Sequence, residues 1–137
     1  NNYELINLGT DSEKSVDYPD YAKAIGKMVS SKQIDLGILI CRTGIGMSIS
    51  CNKVPGAYCA KVNSQREAML SRQHNNANVI TIAGTMKPDK AIKIIEKFLS
   101  TPFSNEERHL KRIKESSCGI CTTSPATRGM KTNHCPS

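Results

Sequence analysis

An apolar run from Leu36 to Ile40 ends in Cys41, a turn with two glycines follows at Gly44 and Gly46, and an apolar-periodic segment opens at once behind it. No other stretch constrains the fold as strongly. A short, continuously apolar run fits a strand covered on both faces, so this one delivers a thiol from the interior to the mouth of a helix. The turn offers backbone N–H groups, and the helix start adds positive potential. Such a place can lower a cysteine's pKa and hold an anion. It is where a small phosphorylated substrate could meet a base.

The rest of the chain repeats that pattern. Tyr3–Leu8 alternates as a strand does and is stopped by Gly9 to Ser12. Pro19 to Val29 is predicted helical, with Pro19 in the first turn and Tyr21, Ala22, Ile25, Met28 and Val29 as its apolar stripe. Leu36–Ile40 is a strand, Ile45–Lys53 a short helix ended by Pro55-Gly56, and Ala57–Val62 a strand. Ser64 caps a helix running to about Arg72. Val79–Ala83 is a strand, Pro88 opens a helix to Leu99, and Asn105–Glu115 is a last helix. Apolar strands alternating with helices predict an α/β fold, a parallel sheet with helices on both faces. Ligands in such folds bind at the carboxyl ends of strands, where Cys41, Asn63 and Gly84 fall.

Composition excludes several classes. A length of 137 residues suits one domain. There is no apolar run long enough to span a membrane, and the first residues lack the pattern of a secretory signal. The net charge is +7, but Trp is absent and Phe occurs only twice, so the stacking platform of a nucleic-acid binder is missing. With no export signal, the six cysteines read as reduced thiols of a cytoplasmic chain rather than a disulfide framework. Residues 116–137 change character, rich in Ser, Thr, Pro and Gly, and read as a flexible tail after a domain at 1–115. Cys118-Gly-Ile-Cys121, with His134 and Cys135 as further ligands, has metal or redox spacing, but it neither follows a strand nor sits between structured knuckles.

Four blocks in register carry a resemblance. Gly37-Ile-Leu-Ile-Cys41 with Thr43-Gly-Ile-Gly46 and Asn52-Lys53 is the first; Ser71-Arg-Gln-His-Asn75 with Asn78-Val79 is the second. Asp17-Tyr18-Pro19 and the pair Arg108 and Arg112 complete the set. Over residues 1–115 the chain resembles type B ribose-5-phosphate isomerase and the related galactose-6-phosphate isomerase subunits. The resemblance implies a Rossmann-like three-layer fold, a homodimer, no metal and no cofactor. It also implies interconversion of ribose 5-phosphate and ribulose 5-phosphate in the pentose phosphate pathway.

The chemistry explains the residue types. Aldose–ketose isomerisation moves a proton between C1 and C2 through an enediolate, which takes a base above the carbon and donors aimed at the oxyanion. By resemblance Cys41 is the base, since the position where some members carry a Glu is Met47. The helix start and glycine turn are then required to bring its pKa, ordinarily about 8.5, toward neutrality. Thr43 steadies the enediolate, and backbone N–H groups from Arg42 through Gly44 and Ile45 to Gly46 form the anion cradle. His74 serves ring opening, Asn75 binds a substrate hydroxyl, Arg108 and Arg112 clamp the phosphate from one helix face, and Tyr18 lines the pocket. Each has a bland alternative: Cys41 a buried thiol, the turn a tight connection, Tyr18 a core residue, and the arginines part of a basic last turn with Lys111 and Lys114.

Three departures are visible. Family members open with a strand ending in an Asp-His pair, and this sequence starts at what resembles the second strand, about two dozen residues later by the size of a βαβ unit. Arg42 stands where a small residue is usual, its side chain either out in solvent or crowding the anion site. Thr85 stands where many members have a basic residue. A hexose-phosphate isomerase and a non-catalytic phosphosugar-binding relic are the competing readings.

Overall fold

The computed structural model describes residues 3–6 and 18–116. Helix α1 (Tyr18–Ser30) leads into strand β1 (Gly37–Cys41), helix α2 (Ile45–Asn52), strand β2 (Cys59–Lys61) and helix α3 (Gln65–Asn75). Strand β3 (Val79–Ala83), helix α4 (Pro88–Ser100) and helix α5 (Glu107–Ser116) follow. The three strands form one parallel sheet in the order β1-β3-β2. Gly37 pairs with Val79 and Cys41 with Ala83 along one side of β3; Cys59 pairs with Val79 and Lys61 with Thr81 along the other.

Alternation in β3 divides the interior in two. Val79 joins Ala22, Val29, Leu39, Met47, Cys51 and Ala57 under α1 and α2. Ile80 and Ile82 point the other way and pack with Val62, Ala68, Ala77, Ile94 and Phe98 under α3 and α4. Both faces of β3 are therefore dry, which is why this central strand is almost continuously apolar. The inner faces of the helices follow helical spacing, as in Ala22, Gly26 and Val29 of α1 and Ile94 and Phe98 of α4.

Local chemistry sets the element ends. Ser64 caps α3 by accepting the Glu67 N–H at 3.1 Å, while the Glu67 carboxylate reaches back to the Asn63 N–H at 2.9 Å. Asn76 in the left-handed region ends α3, so the helix runs past Arg72 to Asn75. Asn105 also has positive φ, 56°, which keeps it out of α5 and moves the start to Glu107. Two motif asparagines brace the amino end of the sheet. Asn78 accepts the Tyr58 N–H and donates to the Gly56 carbonyl. Asn52 clamps Cys59 through both backbone groups at 2.8 Å.

The strand expected over Tyr3–Leu8 does not form in its described part. Residues 3–6 join no ladder, and a strand exists only through the partner whose backbone groups it pairs. Tyr3 instead donates its hydroxyl to the Leu99 carbonyl at 3.4 Å, and Leu5 is 84% exposed. Residues 7 and 8, Asp17 and the expected tail with Cys118, Cys121, His134 and Cys135 lie outside the described residues. No helix among the described residues is long and apolar enough to cross a membrane.

Candidate active site

The carboxyl end of the sheet carries the first cluster. Cys41 is the last residue of β1, tied in place where its carbonyl accepts the Gly84 N–H at 2.7 Å. The chain then turns through Arg42 and Thr43 into Gly44, whose φ of 80° is open to glycine at little cost. That left-handed residue aims its N–H back at the Cys41 sulfur, 3.0 Å away. Thr43 accepts the Ile45 N–H on its side-chain oxygen at 3.2 Å, which leaves its own O–H to donate outward. Gly46 lies under the ring of Tyr18, so close that a Cβ there would sit 2.7 Å from Cε1. Tyr18 thus roofs the turn rather than entering the core, and it is 45% exposed. The Arg42 side chain is exposed, so it does not fill the turn.

A second cluster gathers at the opposite end. A helix that follows a parallel strand runs back along the sheet, so α3 starts at the carboxyl end and delivers His74 and Asn75 to the amino end, about 15 Å away. There the His74 ring stacks on the His109 ring of α5, centroids 4.3 Å apart and tilted by 31°. His109 is buried and exchanges a hydrogen bond with the Ser104 hydroxyl through Nδ1 at 2.8 Å. Burial, then the neighbouring His74 and Arg108, lower its pKa. Arg108 and Arg112 project from the same helix into solvent, and Arg108 donates to Glu106 at 2.8 Å. Asn75 borders a cavity of about 210 Å³ with Asn52, Tyr58, Cys59 and Ile113.

The sequence-predicted site residues therefore fall into two groups. Cys41, Arg42, Thr43, Gly44, Ile45, Gly46 and Tyr18 meet at one end; His74, Asn75, Arg108 and Arg112 sit at the other. The fold does not bring them together within one chain.

His109 and its Ser104 partner were not singled out from the sequence. The signal was there: His109 and Ile113 are four apart, the spacing of an inward stripe on α5. Arg72, inside the second motif block, is structural. Its guanidinium donates to the Thr101 and Ala77 carbonyls and lies 5.9 Å over the Phe98 ring. Cys51 and Cys59 are also not site groups. The hydrogen bond with Cys51 and burial push the Cys59 thiol up, so it stays protonated. Among the described residues, no group of three or more His, Cys, Asp and Glu is placed to hold a metal ion.

The family described as Ribose/Galactose Isomerase matches residues 1–116. Ribose-5-phosphate isomerase B of Escherichia coli is 36% identical over 112 residues, covering 81% of this chain and 74% of that protein. The structure of type B ribose 5-phosphate isomerase from Trypanosoma cruzi superposes with a TM-score of 0.79 at 43% identity, covering 81% and 75% of the two chains. Ribose-5-phosphate isomerase B from Mycoplasma genitalium, solved with bound ribulose-5-phosphate, gives 0.78 at 38% identity over 83% and 76%. With four motif blocks in register and the same α/β fold beneath them, the chain belongs to the ribose/galactose isomerase family.

Proposed function

We propose that the protein interconverts ribose 5-phosphate and ribulose 5-phosphate, with Cys41 as the base. The observation that carries this reading is the Gly44 N–H aimed at the Cys41 sulfur from a left-handed turn at a helix start. Cys41 takes the C2 proton of the open-chain aldose, and the electrons move onto the carbonyl oxygen to give an enediolate. The Thr43 hydroxyl and the N–H groups of the turn donate to the oxygens on which charge develops. The proton passes between the two oxygens, and Cys41 returns its own to C1. Remote binding energy positions the carbon under the sulfur.

The second cluster supplies the remaining roles when it comes from another copy of the chain. His74 acts in ring opening, held in orientation by its stack on His109; Asn75 takes a sugar hydroxyl; Arg108 and Arg112 bind the phosphate. A homodimer with sites shared between subunits reconciles a base at one end of the sheet with a phosphate clamp at the other. Ile40, Ile45 and Ile49, all more than half exposed, give the Cys41 turn an apolar border for a second copy to cover. The free thiols of Cys41, Cys51 and Cys59 accord with a cytoplasmic setting.

The test is isomerase activity on ribose 5-phosphate with Cys41→Ala as control and chelator present. Turnover that ignores chelator and disappears in the variant supports the reading. A folded wild-type protein inert toward ribose 5-phosphate but active on galactose 6-phosphate moves the assignment to the hexose branch that the family description also names. Inertness toward both contradicts catalysis by this chain.

A further inference from the structure

The central strand carries one polar group that the fold does not use. Val79 and Thr81 share the face of β3 under α1 and α2, but Thr81 lies nearer the carboxyl end, beneath the Cys41–Gly46 turn. It is fully buried, and its hydroxyl oxygen has no hydrogen-bond partner among the described residues. A buried hydroxyl left unpaired is costly, and a valine of the same shape would avoid the cost. The same oxygen stands beneath Gly44, 3.3 Å from where a Cβ on that glycine would be. Gly44 in turn holds the N–H aimed at Cys41. Hydroxyl, left-handed glycine and sulfur thus lie in succession from the core to the thiol.

We propose that Thr81 is a positioning residue, whose hydroxyl sets the height and tilt of Gly44 and through it the aim of the Gly44 N–H at Cys41. An oxygen is smaller and more polar than the methyl group that would replace it, so the threonine fixes both the size and the polarity of what stands beneath the glycine. It also offers a hydrogen-bond partner under the backbone of the turn when that backbone shifts to receive an anion. The inference rests on reading Cys41 as the reactive thiol.

The test compares Thr81→Val, which puts a methyl in place of the oxygen, with Thr81→Ser, which keeps the oxygen. Two quantities are measured: steady-state kinetics on ribose 5-phosphate, and the rate at which iodoacetamide alkylates Cys41, followed on its own peptide by mass spectrometry. A thiol reacts through its charged form, which an N–H aimed at the sulfur favours. Thr81→Val is expected to lose about tenfold in kcat with little change in KM, as a misaimed donor should. Its Cys41 should alkylate about fivefold more slowly, by the same loss of aim, while the melting temperature holds or rises. Thr81→Ser is expected to stay within about twofold of wild type in kcat and in alkylation rate. Should Thr81→Val not fold, Thr81→Ala removes the oxygen without adding bulk and carries the same expectation for kcat and alkylation, with a lower melting temperature from the cavity it leaves. Wild-type alkylation and kcat in the folded variant would overturn the proposal, as would a serine variant as impaired as the valine one. Were the wild type itself inert toward sugar phosphates, the isomerase reading would fail. The alkylation comparison would still decide whether Thr81 governs Cys41.

Discussion

The N–H of Gly44 points at the sulfur of Cys41 across 3.0 Å, and it does so because Gly44 holds a φ of 80°. A side chain there meets both the left-handed backbone penalty and the Thr81 hydroxyl oxygen at 3.3 Å. Gly44→Ala should therefore cost about 1–2 kcal/mol of stability. It should also lower kcat/KM by more than tenfold as the N–H loses its aim, a rough bound from the loss of one such donor. Urea unfolding and initial-rate kinetics on the same preparation measure both.

Gly46 and Tyr18 make a different prediction, because the atom a Gly46 Cβ would strike belongs to a ring free to swing outward. Gly46→Ala should leave stability within about 1 kcal/mol of wild type yet raise KM by displacing the roof of the turn. Tyr18→Ala should raise KM similarly. The double variant should be no worse than either alone, since one contact is being removed twice. Additive losses would place the two residues in separate roles.

His109 gives the fold a pH dependence with a definite sign. Its pKa is lowered by burial and by its neighbours His74, Arg108 and Arg112, with Glu106 opposing. The unfolded chain takes up the proton near pH 6.5 while the folded chain resists it, so stability falls as pH drops through about 6.5 toward the lower folded value. Denaturation midpoints between pH 7.5 and 5 should show that decline, and His109→Gln should flatten it. A decline of unchanged slope in the variant would assign it to other groups.

The two arginines of α5 should act on binding rather than on the proton transfer. Loss of a charge-assisted hydrogen bond to phosphate costs about 1.5–3 kcal/mol, so Arg112→Ala should raise KM by about ten- to a hundredfold with a smaller effect on kcat. Arg112→Lys should restore only part of it, because an ammonium lacks the guanidinium fork. Arg108→Ala should behave alike and also free Glu106 from its 2.8 Å pair.

Much of this architecture was legible because the central strand is dry on both faces. Val79–Ala83 is all but continuously apolar and was placed to the residue, and Leu36–Ile40 was displaced by one, to Gly37–Cys41. Helix ends were less legible where a single backbone angle decides them, as at Asn76 and Asn105, since positive φ in a non-glycine residue leaves little trace in sequence. The alternation of Tyr3–Leu8 was misleading because a strand needs a partner edge, which periodicity does not report. Motif spacing named the residues of both clusters but not their separation. Direction along the sheet, which puts Cys41 and His74 at opposite ends, follows from the parallel pairing of β1 and β2 with β3, which residue spacing within a motif does not report. The blocks also mixed site residues with braces such as Asn52, Arg72 and Asn78, whose hydrogen bonds tie one element or loop to another.

Mixing two inactive variants tests the shared site most directly. Cys41→Ala and His74→Ala are each expected to be inert as pure dimers. Unfolded together and refolded, they should form hybrids in which one of two sites draws an intact Cys41 from one subunit and an intact His74 from the other. Random pairing then restores about a quarter of wild-type activity. Hybrids shown to form, yet as inert as their parents, would contradict a site built from the Cys41 turn of one copy and the His74 cluster of the next.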